Sequence, residues 1–470
     1  MSSIVLYPSP GMGHLVSMIE LGKLLTTHNL SVTILIVDPP YNTGSTAPFI
    51  ASVASADPSI TFHRLPAVSL PSDISSANHE FLAFETLRLS NPNLKDFLLS
   101  TKNVRALVVD FFCACVLDIV DELEIPCYCF YTSGAGALAC FLNFPSLHLS
   151  ISTSFKDLGH TLINIPGVPS IPADHMPLPM MDNSDDAYKG FLDLARSLFR
   201  YDGILINTFS SLEPKALDAI NKGLCSAGQN TTPPPIYPIG PLITSNARAQ
   251  SNNSDCLNWL DTQPDNSVVF LCFGSLGLFS AGQLKQIAIG LERSGQRFLW
   301  VVRSPPSEHP TMKYEAPPEP KLDELLPEGF TERMSDIGLV VKSWVPQVEV
   351  LNHRAVGGFV THCGWNSVLE AVCSGKAMVA WPLYAEQRWN KVFLVEEFKL
   401  AGEMRGFEEG MVTAEEVEER VRWLMESEEG EELKRRTAAV RKAAKAAAGE
   451  AGSSYRELEQ LVKIWGKTAE

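Results

Sequence analysis

The stretch GGFVTHCGWNSVLEA, residues 357–371, contains the pattern that decides the fold. Its first five residues are typical of a buried strand, residues 362–367 form a tight loop, and the apolar run from Val368 begins a helix. A strand that passes through a short loop into a helix is the repeating unit of an α/β protein with a parallel sheet. The stretch therefore predicts such a sheet around it.

The same alternation recurs on both sides of this stretch. Strand-like runs separated by helical patterns lie at residues 4–8, 31–37, 105–110 and 126–131, and again at 267–273 and 297–302. Alternation of this kind predicts parallel sheets with helices on both faces. We expect an α/β fold of two doubly wound, Rossmann-like domains that face a cleft, with ligands bound at the carboxyl ends of the strands.

A proline-rich stretch separates the two halves. TPPPIYPIGPLITS, residues 232–245, contains five prolines, which neither a helix nor a central strand tolerates. We therefore predict an N-terminal domain over residues 1–240 that binds one substrate, a linker over 241–254 and a second domain over 255–452. Residues 453–470 should form a C-terminal helix that packs back on the N-terminal domain.

Composition excludes several classes of protein. The 470 residues are 45% apolar and 20% charged, as in globular proteins, and 38 basic against 54 acidic residues give a net charge of −16. Such a balance argues against nucleic acid as a partner, because counterion release needs clustered Lys and Arg. The ten cysteines include no C-x-x-C pair, which favours buried, reduced thiols over zinc.

The same sequence argues against a membrane protein. The N-terminus has no signal-peptide pattern, and the uncharged residues 125–155 are interrupted by Gly, Asn and Pro, so they predict a buried strand and helix rather than a membrane span. We expect a cytoplasmic protein.

His14 and Asp110 are the first candidate site. His14 lies where a strand ends and a helix begins, and Asp110 ends another strand at the same edge of the sheet. A carboxylate that accepts one ring N–H of a histidine makes the ring a general base. Two alternatives remain open: His14 caps a helix while Asp110 merely ends a strand, or the loop Gly11-Met12-Gly13 with Asp38 binds a nicotinamide dinucleotide.

The sequence argues against the nicotinamide alternative and against a serine hydrolase. The third glycine of the dinucleotide fingerprint G-x-G-x-x-G is Val16 here. A serine hydrolase would need G-x-S-x-G, which the chain lacks.

The junction at residues 361–367 is the second candidate site. Its small residues let backbone N–H groups and the helix dipole face an anion, and His362, Asn366, Ser367 and the neighbouring Ser275 add side-chain donors. The chain has no G-x-x-x-x-G-K-[ST] and no D-x-D. A diphosphate would therefore be held by neutral donors, without a metal ion or a lysine.

Residues 344–387, with WVPQVEVLNHRAVGGFVTHCGWNSVLEAVCSG and WPLYAEQ, resemble the signature box of plant family-1 UDP-dependent glycosyltransferases of secondary metabolism. The segments around His14, Asp110, Asn207 and Ile239 fit the same family, so the resemblance covers the whole chain. It implies a GT-B type fold and is nearest to members that glucosylate flavonoids and related phenols.

The resemblance also implies functions for individual residues. Trp344 would stack on uracil, the Val345 backbone would read the base edge, and Gln347 with Glu370 would bind ribose. The other donor-binding residues would be Gly13, Thr132, Ser275, His362, Gly364, Trp365, Asn366, Ser367, Glu386 and Gln387, of which Trp365, Glu386, Gln387 and Thr132 bind the sugar. Phe112, Phe279 and Tyr384 are candidates for the acceptor pocket. Lys376-Ala377 replaces the usual Val-Pro, and we expect Lys376 to face solvent.

The resulting hypothesis is inverting transfer of glucose from UDP-glucose, a co-substrate, to a phenolic hydroxyl. His14 would be the general base and Asp110 its partner carboxylate, and no cofactor or metal ion would take part. The alternatives are C-glucosylation of an electron-rich polyphenol ring by the same pair and a UDP-sugar-binding protein without transfer activity. We expect a monomer.

Overall fold

The structure, a computed structural model, describes residues 3–38, 46–71, 79–226, 232–244, 254–307 and 318–467. Its chain divides into two compact units. The N-terminal unit comprises Met1–Ser245 and Ala446–Glu470, and the C-terminal unit comprises Asn246–Lys445. Most of the predicted linker, residues 245–253, lies outside the described residues.

The N-terminal unit alternates strands and helices along the chain. Its strands are β1 (Ser3–Tyr7), β2 (Ser31–Ile36), β3 (Ile60–Arg64), β4 (Val104–Asp110), β5 (Cys127–Tyr131), β6 (Leu162–Ile163), β7 (Ile171–Pro172), β8 (Gly203–Ile206) and β9 (Ile236–Pro238). Its helices before the linker are α1 (Met12–Thr26), α2 (Thr46–Ala56), α3 (His79–Ser100), α4 (Leu117–Leu123), α5 (Ala135–Ser150), α6 (Asp186–Ser197) and α7 (Pro214–Asn221).

Seven of these strands form one parallel sheet in the order β3-β2-β1-β4-β5-β8-β9. The middle strands β1, β4 and β5 are almost continuously apolar because helices cover both faces of the sheet. The chain order reverses between β1 and β4, where Tyr7 pairs with Val109. The loops that follow β1 and β4 therefore leave the sheet side by side, at the crevice where doubly wound folds bind ligands.

The C-terminal unit repeats this architecture. Its strands are β10 (Val268–Cys272), β11 (Arg297–Val302), β12 (Gly338–Lys342), β13 (Val356–Thr361), β14 (Met378–Ala380) and β15 (Ala401–Glu403). Its helices are α8 (Ser254–Asp261), α9 (Ala281–Ser294), α10 (Leu322–Leu325), α11 (Phe330–Arg333), α12 (Gln347–Asn352), α13 (Trp365–Ser374), α14 (Gln387–Val392), α15 (Ala414–Glu426) and α16 (Glu428–Ala448), the last of which runs into the N-terminal unit.

The parallel sheet of this unit has the order β12-β11-β10-β13-β14-β15. Its switch point lies between β10 and β13, where Cys272 pairs with Thr361. The loops after these two strands, which contain Ser275 and His362, therefore begin next to each other. The prediction of two doubly wound α/β domains is confirmed.

The last helix, α17 (Ser453–Lys467), belongs to the N-terminal unit. The indole of Trp465 packs edge-on against the ring of Tyr128 in β5, with centroids 5.4 Å apart. This contact buries the apolar face of a helix that is otherwise strongly charged.

The uncharged residues 125–155 form the buried strand β5 and the helix α5, as predicted. None of the helices in the described parts of the chain combines the length and the apolar character needed to cross a membrane.

Candidate active site

The loop after β1 carries His14 into the first turn of α1. Gly11 precedes the helix with φ of 143°, a conformation that favours glycine, and lies beside the ring of His14. Gly13 lies exposed in the same turn, and its carbonyl accepts a hydrogen bond from the Ser17 hydroxyl at 3.1 Å. This tight strand-to-helix passage places an imidazole at the edge of the sheet.

His14 contacts Asp110, as the sequence led us to expect. The distance from His14 Nδ1 to Asp110 Oδ2 is 2.8 Å, the aspartate side chain is fully buried, and the histidine side chain is 30% exposed. The other carboxylate oxygen, Oδ1, accepts the Phe112 backbone N–H at 3.1 Å, which fixes the orientation of the carboxylate. A neutral ring that donates its Nδ1–H to a carboxylate carries its lone pair on Nε2. The pair is thus arranged to accept a proton at Nε2.

Thr132 lies in the same cluster. It follows β5, and its hydroxyl oxygen is 3.3 Å from Nδ1 of His14. The main chain of this loop is held by Glu213, whose buried carboxylate accepts the N–H groups of Ala135 and Gly136 at 2.8 Å each. A carboxylate at the start of α5 also suits the helix dipole, so the Thr132 loop is firmly anchored.

A group of three aromatic rings lies next to this cluster, with Phe112 in contact with His14. Phe112 meets the His14 ring edge-on, with centroids 5.3 Å apart. Phe84 of α3 and Phe191 of α6 lie 5.7 and 5.8 Å from Phe112. Phe112 was predicted as an acceptor residue, whereas Phe84 and Phe191 were not. They belong to two helices far apart in the chain, and aromatic residues on helices are most often core residues.

Asp38, the candidate ribose ligand of a nicotinamide site, is engaged elsewhere. Its carboxylate forms an ion pair with the Arg64 guanidinium, at the carboxyl ends of β2 and β3. The side chain of Asp38 is 41% exposed, and Val16 occupies the third glycine position of the fingerprint. These contacts do not support the nicotinamide alternative.

In the C-terminal unit, the loop between β13 and α13 is closely packed around His362. A Cβ atom on Gly274 or Gly364 would lie 2.6 or 2.4 Å from His362 Nε2, so both positions require glycine. Gly364 begins α13 without a side-chain cap, and the first turn of the helix consists of Trp365, Asn366 and Ser367. A helix start of this kind is suited to an anion.

Next to this helix start lies a polar cluster built on α12 and α13. The Gln347 amide donates to Glu370 Oε2 at 2.6 Å and to the Ser367 hydroxyl at 2.9 Å. Glu370 and Ser367 are each 8% exposed. Two carboxylate oxygens beside an amide can bind the two hydroxyl groups of a vicinal diol.

Trp344 and Val345 precede this cluster. Ser343, directly before them, has a left-handed φ of 65°, and its carbonyl accepts a hydrogen bond from the Arg303 guanidinium at 3.0 Å. The turn leaves the Trp344 indole half-buried, while Val345 is buried. A partly exposed indole on a fixed turn is suited to stacking on a planar base.

The loop that begins α14 holds Glu386 and Gln387. Gln387 is buried, and its amide oxygen accepts the backbone N–H groups of Leu383 and Tyr384 at 2.9 Å each. The amide oxygen therefore fixes its own loop. Glu386 Oε1 accepts a 3.3 Å hydrogen bond from Asn390.

Comparison with known proteins identifies the family. A family model described as "UDP-glucoronosyl and UDP-glucosyl transferase" matches residues 229–435. An anthocyanidin 5,3-O-glucosyltransferase of a Rosa hybrid cultivar is 48% identical, with 98% of each chain covered. The chain belongs to the plant UDP-glycosyltransferases. It is an enzyme of this family, for which a UDP-sugar is a co-substrate.

Two further similarities to this UDP-glycosyltransferase extend the comparison. A phloretin 2'-O-glucosyltransferase of Pyrus communis is 46% identical over 98% of each chain. The structure of Phytolacca americana UGT2 complexed with UDP-2fluoro-glucose and pterostilbene matches with a TM-score of 0.88 at 35% identity, covering 99% of this chain and 100% of that one. The predicted GT-B fold is thereby confirmed.

Two predicted acceptor residues of this UDP-glycosyltransferase, Phe279 and Tyr384, lie in the C-terminal unit. Phe279 packs in the core of the C-terminal unit against Phe273 and Trp381, with centroids 4.6 and 5.1 Å away. Tyr384 lies beside His362, with ring centroids 6.1 Å apart, and burial raises the pKa of its phenol to about 12. Phe279 is thus a core residue, whereas the place of Tyr384 in an acceptor pocket stays a prediction.

The expectation that Lys376 faces solvent is wrong. Its ammonium is partly buried and donates to the backbone carbonyls of Val356 at 2.7 Å and His353 at 3.3 Å. Burial and the nearby Arg441 lower the pKa of Lys376 to about 8. The lysine thus connects the end of α12 to the start of β13, a tie that the valine usual in UDP-glycosyltransferases would not make.

His362 of this UDP-glycosyltransferase should remain uncharged at pH 5. Burial lowers its pKa to about 4, so the folded ring stays neutral where an ordinary histidine with a pKa near 6.5 is protonated. Between these two values the unfolded chain binds the extra proton, so stability falls as the pH is lowered from 6.5 towards 4, by about 3 kcal/mol in total. NMR titration of the histidine Cε1–H signals measures this, with His362→Gln identifying the resonance.

The exposed His160 provides the control for that titration, since its side chain is 75% exposed. A His362 signal that moves with a midpoint near 6.5 would contradict the prediction.

Proposed function

We propose that this enzyme transfers glucose from UDP-glucose to a hydroxyl group of a small, flavonoid-like phenol, with inversion at the anomeric carbon. The observation that carries the proposal is the 2.8 Å contact between His14 and the fully buried Asp110. It lies beside an aromatic wall formed by Phe112, Phe84 and Phe191. The names of relatives support it, because they are glucosyltransferases of anthocyanidins and of phloretin.

The proposed reaction begins with a proton transfer. Nε2 of His14 takes the proton of the phenol while the phenol oxygen attacks the anomeric carbon of UDP-α-glucose from the face opposite UDP. The new C–O bond forms as the bond to the β-phosphate breaks, and the products are a β-glucoside and UDP. Asp110 holds the ring through Nδ1 and stabilises the imidazolium that results.

The donor is proposed to lie on the C-terminal unit. Trp344 stacks on uracil, Val345 contacts its edge, and Gln347 with Glu370 binds the ribose diol. The N-terminus of α13 and the donors of Ser275, His362, Asn366 and Ser367 hold the diphosphate and stabilise the charge that develops on it. The sugar hydroxyls are bound by Trp365, Glu386, Gln387 and Thr132, with Gly13 and Gly364 giving close backbone approach.

The acceptor is proposed to lie on the N-terminal unit, against Phe112 and its ring neighbours. No resident cofactor or metal ion takes part in the proposal, since the sequence lacks the D-x-D motif of metal-dependent sugar transferases. We further propose a cytoplasmic monomer. Activity in the presence of EDTA, light scattering and cell fractionation test these three points.

The reaction itself is tested by incubating the purified enzyme with UDP-glucose and a panel of phenols. We expect products heavier by one hexose, with a β-linkage by NMR, that acid hydrolyses back to the phenol. A product that survives acid would indicate C-glucosylation instead. UDP binding without any product would favour the binding protein without transfer activity, and UDP-glucuronate used in preference to UDP-glucose would contradict the proposed donor.

A further inference from the structure

Gly190 lies in the interior of α6, where glycine is destabilising compared with alanine. The helical backbone here needs no glycine, so the reason must lie in packing. A Cβ atom at this position would lie 2.8 Å from Cε2 and 3.0 Å from Cδ2 of Phe84. The missing side chain therefore makes room for the Phe84 ring against α6.

The Phe84 ring is part of the aromatic wall beside the catalytic histidine. Its centroid is 5.7 Å from that of Phe112 and 5.6 Å from that of Phe191. Phe112 in turn lies 5.3 Å from the ring of His14. A displacement of the Phe84 ring would therefore shift its neighbour Phe112, the ring that borders the proposed acceptor position.

We propose that Gly190 is a positioning residue that sets the size of acceptor the enzyme takes, by letting Phe84 lie close against α6. A methyl group at residue 190 overlaps the ring edge and forces the ring away from α6, which narrows the space bordered by Phe112. The proposal rests on the proposed function, because it assumes that the phenol lies beside His14. A fused, multi-ring acceptor loses more from this narrowing than a single-ring phenol.

The test compares Gly190→Ala with the wild type on two acceptors, quercetin and hydroquinone, with UDP-glucose as donor. We expect kcat/KM for quercetin to fall about tenfold relative to that for hydroquinone, the size of effect typical of one added methyl group in a packed site. The dissociation constant for UDP, measured by calorimetry, should not change, because the proposed donor residues that bind UDP lie in the C-terminal unit.

A double-mutant cycle with Phe84→Ala shows whether the ring transmits the effect. Without the ring the added methyl group has nothing to displace, so Gly190→Ala should leave the quercetin-to-hydroquinone ratio of the Phe84→Ala background unchanged. Gly282→Ala is the matched control. That glycine also lies in a helix, α9, but its Cβ would meet only ordinary contacts, the nearest at 3.4 Å.

The possible results of these assays either support or overturn the proposed role of Gly190. An unchanged ratio in folded Gly190→Ala, an equal fall for both acceptors, or an effect that persists in the Phe84→Ala background would overturn the inference. A wild type that glucosylates neither phenol would instead overturn the proposed function, and the inference with it. Since the wild type is assayed first, the two failures are distinguishable.

Discussion

A His14→Ala variant is expected to transfer glucose about 10²- to 10⁴-fold more slowly than the wild type while binding UDP with unchanged affinity. A phenol titrates near pH 10, so at neutral pH nearly all of the acceptor is protonated and needs a base. The residues proposed to bind UDP lie in the C-terminal unit, whereas His14 lies in the N-terminal unit. Turnover at saturating UDP-glucose and calorimetry with UDP measure the two quantities separately.

The acidity of the acceptor provides an internal control. With 4-nitrophenol, which is far more acidic than an ordinary phenol, the loss in His14→Ala should shrink because less of the acceptor depends on a base. His160→Ala, at a 75% exposed histidine, should behave as the wild type. A variant that loses UDP binding would place His14 in the donor site, and an equal loss for both phenols would argue against a general base.

The fold followed from the sequence because each strand and helix carries its own signal. Central strands such as β4, VRALVVD, have a continuous apolar core, here from Ala106 to Val109, because both faces of the sheet are covered, and a parallel sheet requires the helices between them. The proline-rich residues 232–245 marked a break in this alternation. Local pattern and global architecture agree in this protein, which made the α/β class predictable.

The proximity of His14 and Asp110 could also be predicted from the sequence, although 96 residues separate them. Both follow strands that end at the same edge, and topology then brings the two loops together. In the C-terminal unit the same rule predicts that the loops with Ser275 and His362 lie next to each other. Periodicity alone does not supply the strand order, so the sequence placed both loops at one edge of the sheet without showing that β1 and β4 are neighbours.

Packing between helices was not predictable in this way. Phe84 and Phe191 come from α3 and α6, and nothing in either segment indicates that their rings meet Phe112. Phe279 shows the opposite case, because an aromatic residue in a loop can line a pocket or pack in a core, and this ring packs in the core. The prediction that Lys376 faces solvent was wrong because its long aliphatic chain can carry the ammonium to buried carbonyls as well as to water.

An Asp110→Asn variant is expected to lose activity by about 10²- to 10⁴-fold although its shape hardly changes. Oδ1 of Asp110 accepts the Phe112 N–H, so the amide oxygen of asparagine should keep that place. The amide NH₂ then takes the place of Oδ2, 2.8 Å from Nδ1 of His14. A donor facing Nδ1 forces the ring proton onto Nε2, which removes the lone pair that would accept the proton of the phenol.

Tautomer and turnover must change together for this account to hold. ¹⁵N NMR of the histidine rings should report Nδ1–H for His14 in the wild type and Nε2–H in Asp110→Asn, and the loss should shrink towards pH 10 as the phenol ionises by itself. Asp202→Asn is the control, because that carboxylate also accepts a backbone N–H, from Cys127 at 2.7 Å, and lies in the same unit. A switched tautomer with turnover retained would mean that the proton of the acceptor leaves by a route other than His14.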